Sequence, residues 1–420
     1  MQQSVIIIGA GAAGLIAARI LSAKNAKVTL IEAGNRPGGR MHTVEEGFSA
    51  DVEAGAEFIH GNVPETINLL TEAGIRYTRT AGKTYRVRNG KQVNNYEQAE
   101  GWDEMMEKMH SLTKDITLFR FLQKYFASDK YAALRAQVRG FAEGYDVADL
   151  TMVSVFALRD EWEHEGPQYR VNGGYGRLVN YLIDTCNSNG CSIVTGTRVS
   201  QVEWREGVVV ADTPNGKYEG DRLIVTVPIV MLQQPYGIGG ITFNPALAEY
   251  TKAAGNIGYG DVVKVVIEFK TRFWEKYLKK AGFILSDEWM PVWWTQLPGN
   301  GCTLTGWLGG PKATMLKTVA DEEILQKSLL SLCGIFGVSI EALQQELTTG
   351  KVFNWASNPF SGGAYSYATP GTQKALKILM TPVKNTLFFA GEAIYEGKHP
   401  GTVEAAFVSG KQAAEKILAL

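Results

Sequence analysis

Ser4-Val5-Ile6-Ile7-Ile8-Gly9-Ala10-Gly11-Ala12-Ala13-Gly14 stands at the front of the chain and decides its fold. Ser4 to Ile8 is short, apolar and rich in β-branched side chains, the composition of a central parallel strand covered on both faces. It runs directly into glycines spaced G-x-G-x-x-G, then into an apolar helical stretch, Leu15 to Lys24. A second strand, Ala26 to Ile31, ends on Glu32. Gly9 permits a tight turn, Gly11 lets the backbone approach a pyrophosphate, and Gly14 lets helix and strand touch. The helix N-terminus offers free N–H groups to phosphate oxygens, and Glu32 can accept from ribose hydroxyls, which selects a 2′-hydroxyl over a 2′-phosphate. A glycine turn that only packs a βαβ unit has the same spacing. Strand, helix, second strand and terminal acid in sequence favour a dinucleotide site over that alternative.

The rest of the chain is ordinary globular material. It has 420 residues, 45% of them apolar and 20% charged, enough for two or three domains with a dry interior. With 42 Lys+Arg against 43 Asp+Glu, the net charge of −1 leaves no electrostatic footprint for nucleic acid or anionic lipid. The 4 cysteines (Cys186, Cys191, Cys302, Cys333) form no C-x-x-C pair and read as reduced, mostly buried thiols. No run of apolar residues is long enough to span a bilayer, the opening lacks a basic leader and a cleavage site, and the last residues carry no anchor. These features predict a cytoplasmic protein with no membrane and no nucleic-acid partner. The metal-ligand set is expected to be none, and the oligomeric state is left open.

Arg36-Pro37-Gly38-Gly39-Arg40-Met41-His42-Thr43 follows Glu32 closely. Two glycines and an arginine can bring N–H groups and a guanidinium to the other side of the same pyrophosphate. A dinucleotide gripped from both sides suits a resident flavin better than a nicotinamide that must leave each cycle.

Glu32-Ala33 with Gly38-Gly39-Arg40-Met41 resembles the flavin-containing amine oxidase family, which includes monoamine oxidases, polyamine oxidases and histone lysine demethylases. Further blocks follow in family order. Asp51-Val52-Glu53-Ala54-Gly55-Ala56-Glu57-Phe58-Ile59-His60-Gly61 is similar to the loop beside the flavin ring, and Asn172 to Leu178 to the turn that re-enters the FAD domain. Asp221 to Pro228 matches a returning strand. Asn354-Trp355, Gly362-Gly363-Ala364-Tyr365, Phe388-Phe389-Ala390-Gly391-Glu392 and Gly401-Thr402-Val403-Glu404 complete the series. The resemblance implies an α/β fold: a Rossmann-like FAD-binding domain with a parallel sheet, joined to an α+β substrate domain with an antiparallel sheet. It implies a discontinuous FAD domain at 1–76, 175–253 and 358–420, with the substrate domain at 77–174 and 254–357.

The same resemblance assigns FAD contacts to Gly9, Gly11, Ala13, Gly14, Glu32, Ala33, Gly39, Arg40, Met41, Ala56, Glu57, Phe58, Val199, Trp355, Gly391, Glu392, Thr402 and Val403. It implies non-covalent FAD, because mammalian monoamine oxidases tether the flavin through a cysteine where this chain has Ala364. Four residues are assigned to the chemistry: Lys264, Tyr365, His60 and Thr402. In the family, the lysine in the position of Lys264 hydrogen-bonds a water beside flavin N5 and assists reoxidation by dioxygen. Tyr365 takes the place of one wall of an aromatic cage, and the opposite wall falls on Thr402. The His60 loop resembles that of spermine and acetylpolyamine oxidases, whose histidine faces the substrate. Amino-acid oxidases place a carboxylate-binding arginine where this chain has Phe58, so an α-amino acid loses its anchor.

Residue patterns supply their own expectations beside these. In Asp261 to Phe269, alternation puts Lys264 with Val262 and Val266, opposite Val263, Val265, Ile267 and Phe269, and a lone strand lysine ordinarily faces solvent. Tyr365 and Tyr367 share one face of a strand, where aromatics are more often core. Val199 to Trp204 and Val208 to Ala211 form a hairpin around Glu206-Gly207, Pro214 to Lys217 make a second turn, and Lys83 to Val93 turn at Asn89-Gly90. Residues 100–165 read as helical, with Met105, Met109, Leu112, Ile116 and Phe119 as a core stripe. A helix begins at Thr402 and runs from Val403 to Leu418. Trp289, Trp293, Trp294 and Trp307 read as sheet packing that could also line a pocket. Asp160-Glu161-Trp162-Glu163-His164-Glu165 reads as a solvated face, or as an entrance that attracts polycations.

The expected activity is oxidation of a primary or secondary amine to an imine and then an aldehyde, with hydride transfer to flavin N5 and reduction of O2 to hydrogen peroxide. Polyamine-like substrates lead and aromatic monoamines follow. The alternatives are a flavin desaturase or protoporphyrinogen-type oxidase, and a non-catalytic flavin-bound scaffold.

Overall fold

The computed structural model describes residues 2–93, 98–163 and 166–420. Among these residues the Ser4–Ile8 strand sits at the centre of a five-stranded parallel sheet, ordered Ser192–Val194, Lys27–Ile31, Ser4–Ile8, Arg222–Val225 and Leu387–Phe389. Both faces of the strand are covered. Val5 and Ile7 pack into one core with Leu15, Leu30 and Phe407, and Ile6 and Ile8 pack into another with Val202, Val209 and Leu223. That two-sided burial is why the strand reads as an unbroken apolar run rather than an alternation. The first helix spans Ala12–Ser22 and lies against Val403–Leu418 and Gly176–Ser188. It starts earlier than the apolar pattern predicts, because Gly11 itself serves as the N-cap, and it ends two residues earlier, at Ser22.

The hairpins fall where the turns predict them. Gln201–Arg205, Val208–Thr213 and Gly216–Gly220 form an antiparallel ribbon that the strand Thr242–Asn244 joins in parallel. A second large sheet has seven strands in the order Leu347–Asn354, Val262–Phe269, Thr303–Gly309, Val292–Thr295, Ala281–Ser286, Lys83–Arg88, Lys91–Gln92. Helix Asp321–Phe336 contributes Ile324, Leu329, Leu332 and Ile335 to the core on one face of that sheet.

Residues 100–165 do not make a continuous stripe. The helices are Trp102–His110, Leu118–Tyr125, Ala132–Gly144 and Val155–Trp162. Met105 and Met109 are buried as expected, Leu112 and Ile116 fall between helices, and Phe119 is 40% exposed. Its neighbours Phe121 and Leu122 take the core positions, because a new helix starting at Leu118 resets the phase. Of the cysteines, Cys186 and Cys191 are buried, while Cys302 and Cys333 are only partly so. Among the described residues no single helix is long and apolar enough to cross a membrane.

Candidate functional site

Two glycine turns face each other at the C-terminal ends of the parallel strands. Gly38 N–H donates to Ala10 O at 2.7 Å, and a Cβ on Gly39 would stand 3.3 Å from the Cα of Gly11. Gly14 is glycine for internal reasons, since a Cβ there would meet Gly9 O at 1.9 Å. Gly11 has no such reason: a Cβ would meet nothing within 4 Å, and its φ of −77° suits any residue. The space before Gly11 is therefore a cradle that a side chain would fill and that the protein leaves free. Gly391 likewise opens onto free space at the end of the last strand.

Glu32 ends the second strand with its carboxylate accepting from Ala10 N at 2.8 Å and Gly34 N at 2.7 Å, which holds it beside the turn. Ala33 follows it, half-buried. Arg40 donates from Nη1 to Ala364 O at 2.6 Å and to Glu392 Oε1 at 2.8 Å. Glu392 is tied in turn to the N–H and hydroxyl of Ser366. Met41 and Val199 are buried, Ala13 lies in the first helix, and Ala56 N–H donates to Arg40 O at 3.0 Å. Trp355 Nε1 donates to Ala54 O at 2.8 Å, which pins the loop of residues 51–61. Thr402 caps the helix Val403–Leu418, its Oγ accepting from Ala405 N at 3.2 Å. An open glycine turn, a terminal acid, a second glycine turn with its arginine, and a capped helix end together fit a dinucleotide.

Beyond this cradle lies Lys264, 1% exposed. The predicted alternation holds, but the expectation of a solvent-facing lysine fails. Its side of the strand is roofed by the 43–57 segment, so Val266 packs with Val44, Val52 and Ala54. Lys264 Nζ donates to Glu57 Oε2 at 2.7 Å and to Gly55 O at 3.2 Å. Glu57 Oε1 accepts from Arg170 Nε and from Trp294 Nε1, both at 2.9 Å. Burial alone would raise the Glu57 carboxyl, but Lys264 and Arg170 outweigh it and bring it down to about 2. The assigned FAD residue Glu57 thus spends its side chain on a buried charge network. Phe58 has a cation beside it after all, since the Arg170 guanidinium lies 4.7 Å from the ring centroid. Each nitrogen of that guanidinium already donates, to Glu57, Leu297 O and Thr295 O, so it is committed to this network rather than standing as an open carboxylate anchor.

The aromatic side chains close into a circuit beside this network. Tyr365 stacks on Trp307 (6.4 Å, 28°), Trp307 meets Trp294 (5.9 Å), and Trp294 meets Phe58 (5.4 Å). Phe58 then meets His60 (5.8 Å), and His60 meets Tyr145 (6.2 Å). Tyr365 Oη donates to Tyr145 O at 2.5 Å and completes the circuit. Burial, and then His399, bring the His60 imidazole down to about 4, so it is neutral at physiological pH. Burial also pushes the Tyr365 phenol well up, keeping it protonated. Gly401, beside Thr402, lies against the Tyr365 ring. Tyr367 instead enters the core of the middle helices.

The tryptophan group divides by strand alternation. Trp293 is sheet core, with Nε1 on Met290 O, and Trp289 is peripheral to that core, while Trp294 and Trp307 face the site. Arg170 and Tyr145 escaped the sequence reading, since each stands in an unremarkable stretch and acquires its place only through contacts with distant residues.

A family model described as flavin-containing amine oxidoreductase matches residues 12–139 and 113–418. The chain belongs to that family. The cofactor of this amine oxidoreductase is therefore a flavin, and the dinucleotide cradle makes it FAD. Polyamine oxidase 2 of Arabidopsis thaliana is 27% identical, over 98% of this chain and 87% of its own length. Lysine-specific histone demethylase 1B of Mus musculus is 26% identical over 99% of this chain, which spans only 53% of that relative. Among solved structures, a putrescine oxidase bound to putrescine has the same fold, with a TM-score of 0.82 at 20% identity over the whole of both chains. Cyclohexylamine oxidase from Brevibacterium oxydans gives 0.81 at 19% identity, covering 100% of this chain and 99% of its own.

Proposed function

We propose that this amine oxidoreductase is an oxidase of primary or secondary amines, polyamine-like ones first and aromatic monoamines second. Its products are an imine, which hydrolyses to an aldehyde, and hydrogen peroxide from O2. The carrying observation is a buried ammonium, Lys264, held by Glu57 beside a closed circuit of aromatic rings. The polyamine and putrescine oxidases among its relatives support the substrate order. Bound FAD supplies the two-electron oxidation of the C–N bond and returns the electrons to dioxygen. The chain's residues prepare that step. The rings exclude water and disfavour an ammonium, so the reacting nitrogen enters with its lone pair free. Neutral His60 can accept a hydrogen bond from the incoming amine. With FAD bound, Lys264 would serve as a proton donor in the reduction of oxygen. Ala364 offers no thiol, so FAD is held without a covalent bond. The domain division at 1–76, 175–253 and 358–420 against 77–174 and 254–357, and the cytoplasmic location, belong to the same proposal.

The test is an anaerobic screen of amines for bleaching of the flavin absorbance. Spermidine or putrescine should bleach it, and amino acids should not. Bleaching by no amine would overturn the proposal and favour a desaturase or a scaffold.

A further inference from the structure

Two features of the sequence lie outside the proposed chemistry, the acidic stretch at 160–165 and the cysteines. Within the stretch Asp160 accepts from Arg159 Nε at 2.8 Å and Nη2 at 2.6 Å, and Glu163 is paired with His110. His164 and Glu165 lie outside the described residues. The cysteines separate into two kinds. Cys302 and Cys333 are partly exposed, whereas Cys186 (0% exposed) and Cys191 (6%) lie together in the core that holds Leu15 and Leu30.

The way helix Gly176–Ser188 ends brings Cys186 and Cys191 together. Asn189 is its C-cap, and Gly190 follows with φ of 77°, the left-handed conformation that lets the chain reverse. Cys191 N donates to Cys186 O at 3.0 Å, and Gly190 N to Asn187 O at 2.9 Å. These are the two hydrogen bonds of a Schellman ending, with Cys186 at its first position and Cys191 at its last. Such an ending sets the side chains of those two positions against each other, usually as an apolar contact. Here both are thiols. By covalent geometry the 3.0 Å bond leaves their Cα atoms at most about 7 Å apart, the limit for a disulfide that forms without backbone movement. The hydrogen bond between the thiols lowers Cys191 and raises Cys186, which makes Cys191 the nucleophile of the pair.

We propose that Cys186 and Cys191 are a dithiol that a peroxide oxidises to an intramolecular disulfide. The site goes beyond the amine-oxidase reading and does not rest on it. The residues between the two cysteines, Asn187 to Gly190, are exposed, and peroxide, little larger than water, reaches Cys191 from that side. The Cys191 sulfur attacks one peroxide oxygen, the O–O bond breaks, and water leaves a sulfenic acid behind. The Cys186 sulfur then displaces the remaining oxygen as a second water. Two S–H bonds are lost, one S–S bond forms, and the peroxide is reduced to two waters. The disulfide fastens the helix to Ser192–Val194, the edge strand of the parallel sheet, whose Val194 O accepts from Glu32 N at 2.8 Å. Oxidation therefore stiffens the strand that holds the backbone of Glu32.

The test exposes the FAD-loaded protein, freed of reductant, to hydrogen peroxide, followed by iodoacetamide and trypsin. Both cysteines fall in the tryptic peptide from Leu178 to Arg198. That peptide should be two hydrogens lighter than its reduced form and carry no alkyl group, and dithiothreitol should restore alkylation at both positions. A peptide still alkylated at both cysteines would overturn the site, as would oxygen gained at Cys191 without loss of the two hydrogens. Cys191→Ser, which keeps the turn and its backbone bonds, should abolish the mass loss. Peroxide should also lower the melting temperature of the wild type no more than that of Cys191→Ser. A larger drop in the wild type would show that the bond forms only by distorting the helix end, and would equally overturn a built site. Because the peroxide is added, a failed amine screen leaves this experiment untouched.

Discussion

Lys264 and Glu57 are 207 residues apart in sequence and meet at 2.7 Å, with Arg170 Nε and Trp294 Nε1 on the other carboxylate oxygen. Removing one partner of a buried pair leaves a charge without compensation, at a cost of about 3–5 kcal/mol. Arg170 and Trp294 still serve Glu57 when the lysine is lost, so Lys264→Met should destabilise the protein by about 3 kcal/mol in denaturant unfolding. It should also slow reoxidation of the reduced flavin by O2 far more than it slows reduction by amine. Equal slowing would show that the ammonium has no special part in the oxygen step. His60 makes a pH prediction. Its imidazole, brought down to about 4 by burial and His399, should titrate near that value by NMR, and flavin reduction should show no His60 inflection between about pH 5 and 8. A measured value above about 6 would contradict the enclosed position.

At the scale of elements, the strand–turn–helix at the front separates two glycines that look equivalent in the sequence. A Cβ at Gly14 would strike Gly9 O at 1.9 Å, whereas one at Gly11 would meet nothing. Gly14→Ala should therefore lower the melting temperature of the FAD-free protein. Gly11→Ala should leave that temperature in place and weaken FAD binding by about tenfold in a flavin titration. If both variants behave alike, the space before Gly11 is not the phosphate cradle. Strands and turns were legible here because they depend on neighbours in sequence: β-branched runs, glycines where φ must be positive, and Asn89-Gly90 at a tight hairpin. The helices of residues 100–165 were less so. A spacing of three or four continued across the break near Leu112 and Ile116, and packing against the neighbouring helices set where each new helix started.

Across the whole molecule, Glu53 joins segments from three parts of the chain. Its Oε1 accepts from Tyr175 N at 2.5 Å and Thr43 Oγ1 at 3.0 Å, while Oε2 is buried without a hydrogen-bond partner among the described residues. Burial raises this carboxyl to about 7. A folded-state value above the unfolded one means that the native protein holds the extra proton, so stability falls as pH rises from about 4.5 to 7. The full effect above that window is on the order of 3 kcal/mol. Glu53→Gln should flatten that slope in unfolding measured across the window. An unchanged slope would show that the carboxyl is ionised in the fold. His60 contributes with the opposite sign, losing stability as pH falls from about 6.5 to 4, and cancels when variant and wild type are compared. The parallel sheet, the glycine turns, the acid at 32 and the seam of family blocks were determined by the sequence itself, because each is a local pattern of φ angles, side-chain volume and alternation. Only the tertiary structure decided that Lys264 is dry, that Glu57 and Arg170 surround it with charge, and that rings at 58, 60, 145, 294, 307 and 365 close on one another. Burial, and the pKa shifts that follow from it, are properties of what covers a residue, and the covering segments here lie tens to hundreds of residues away.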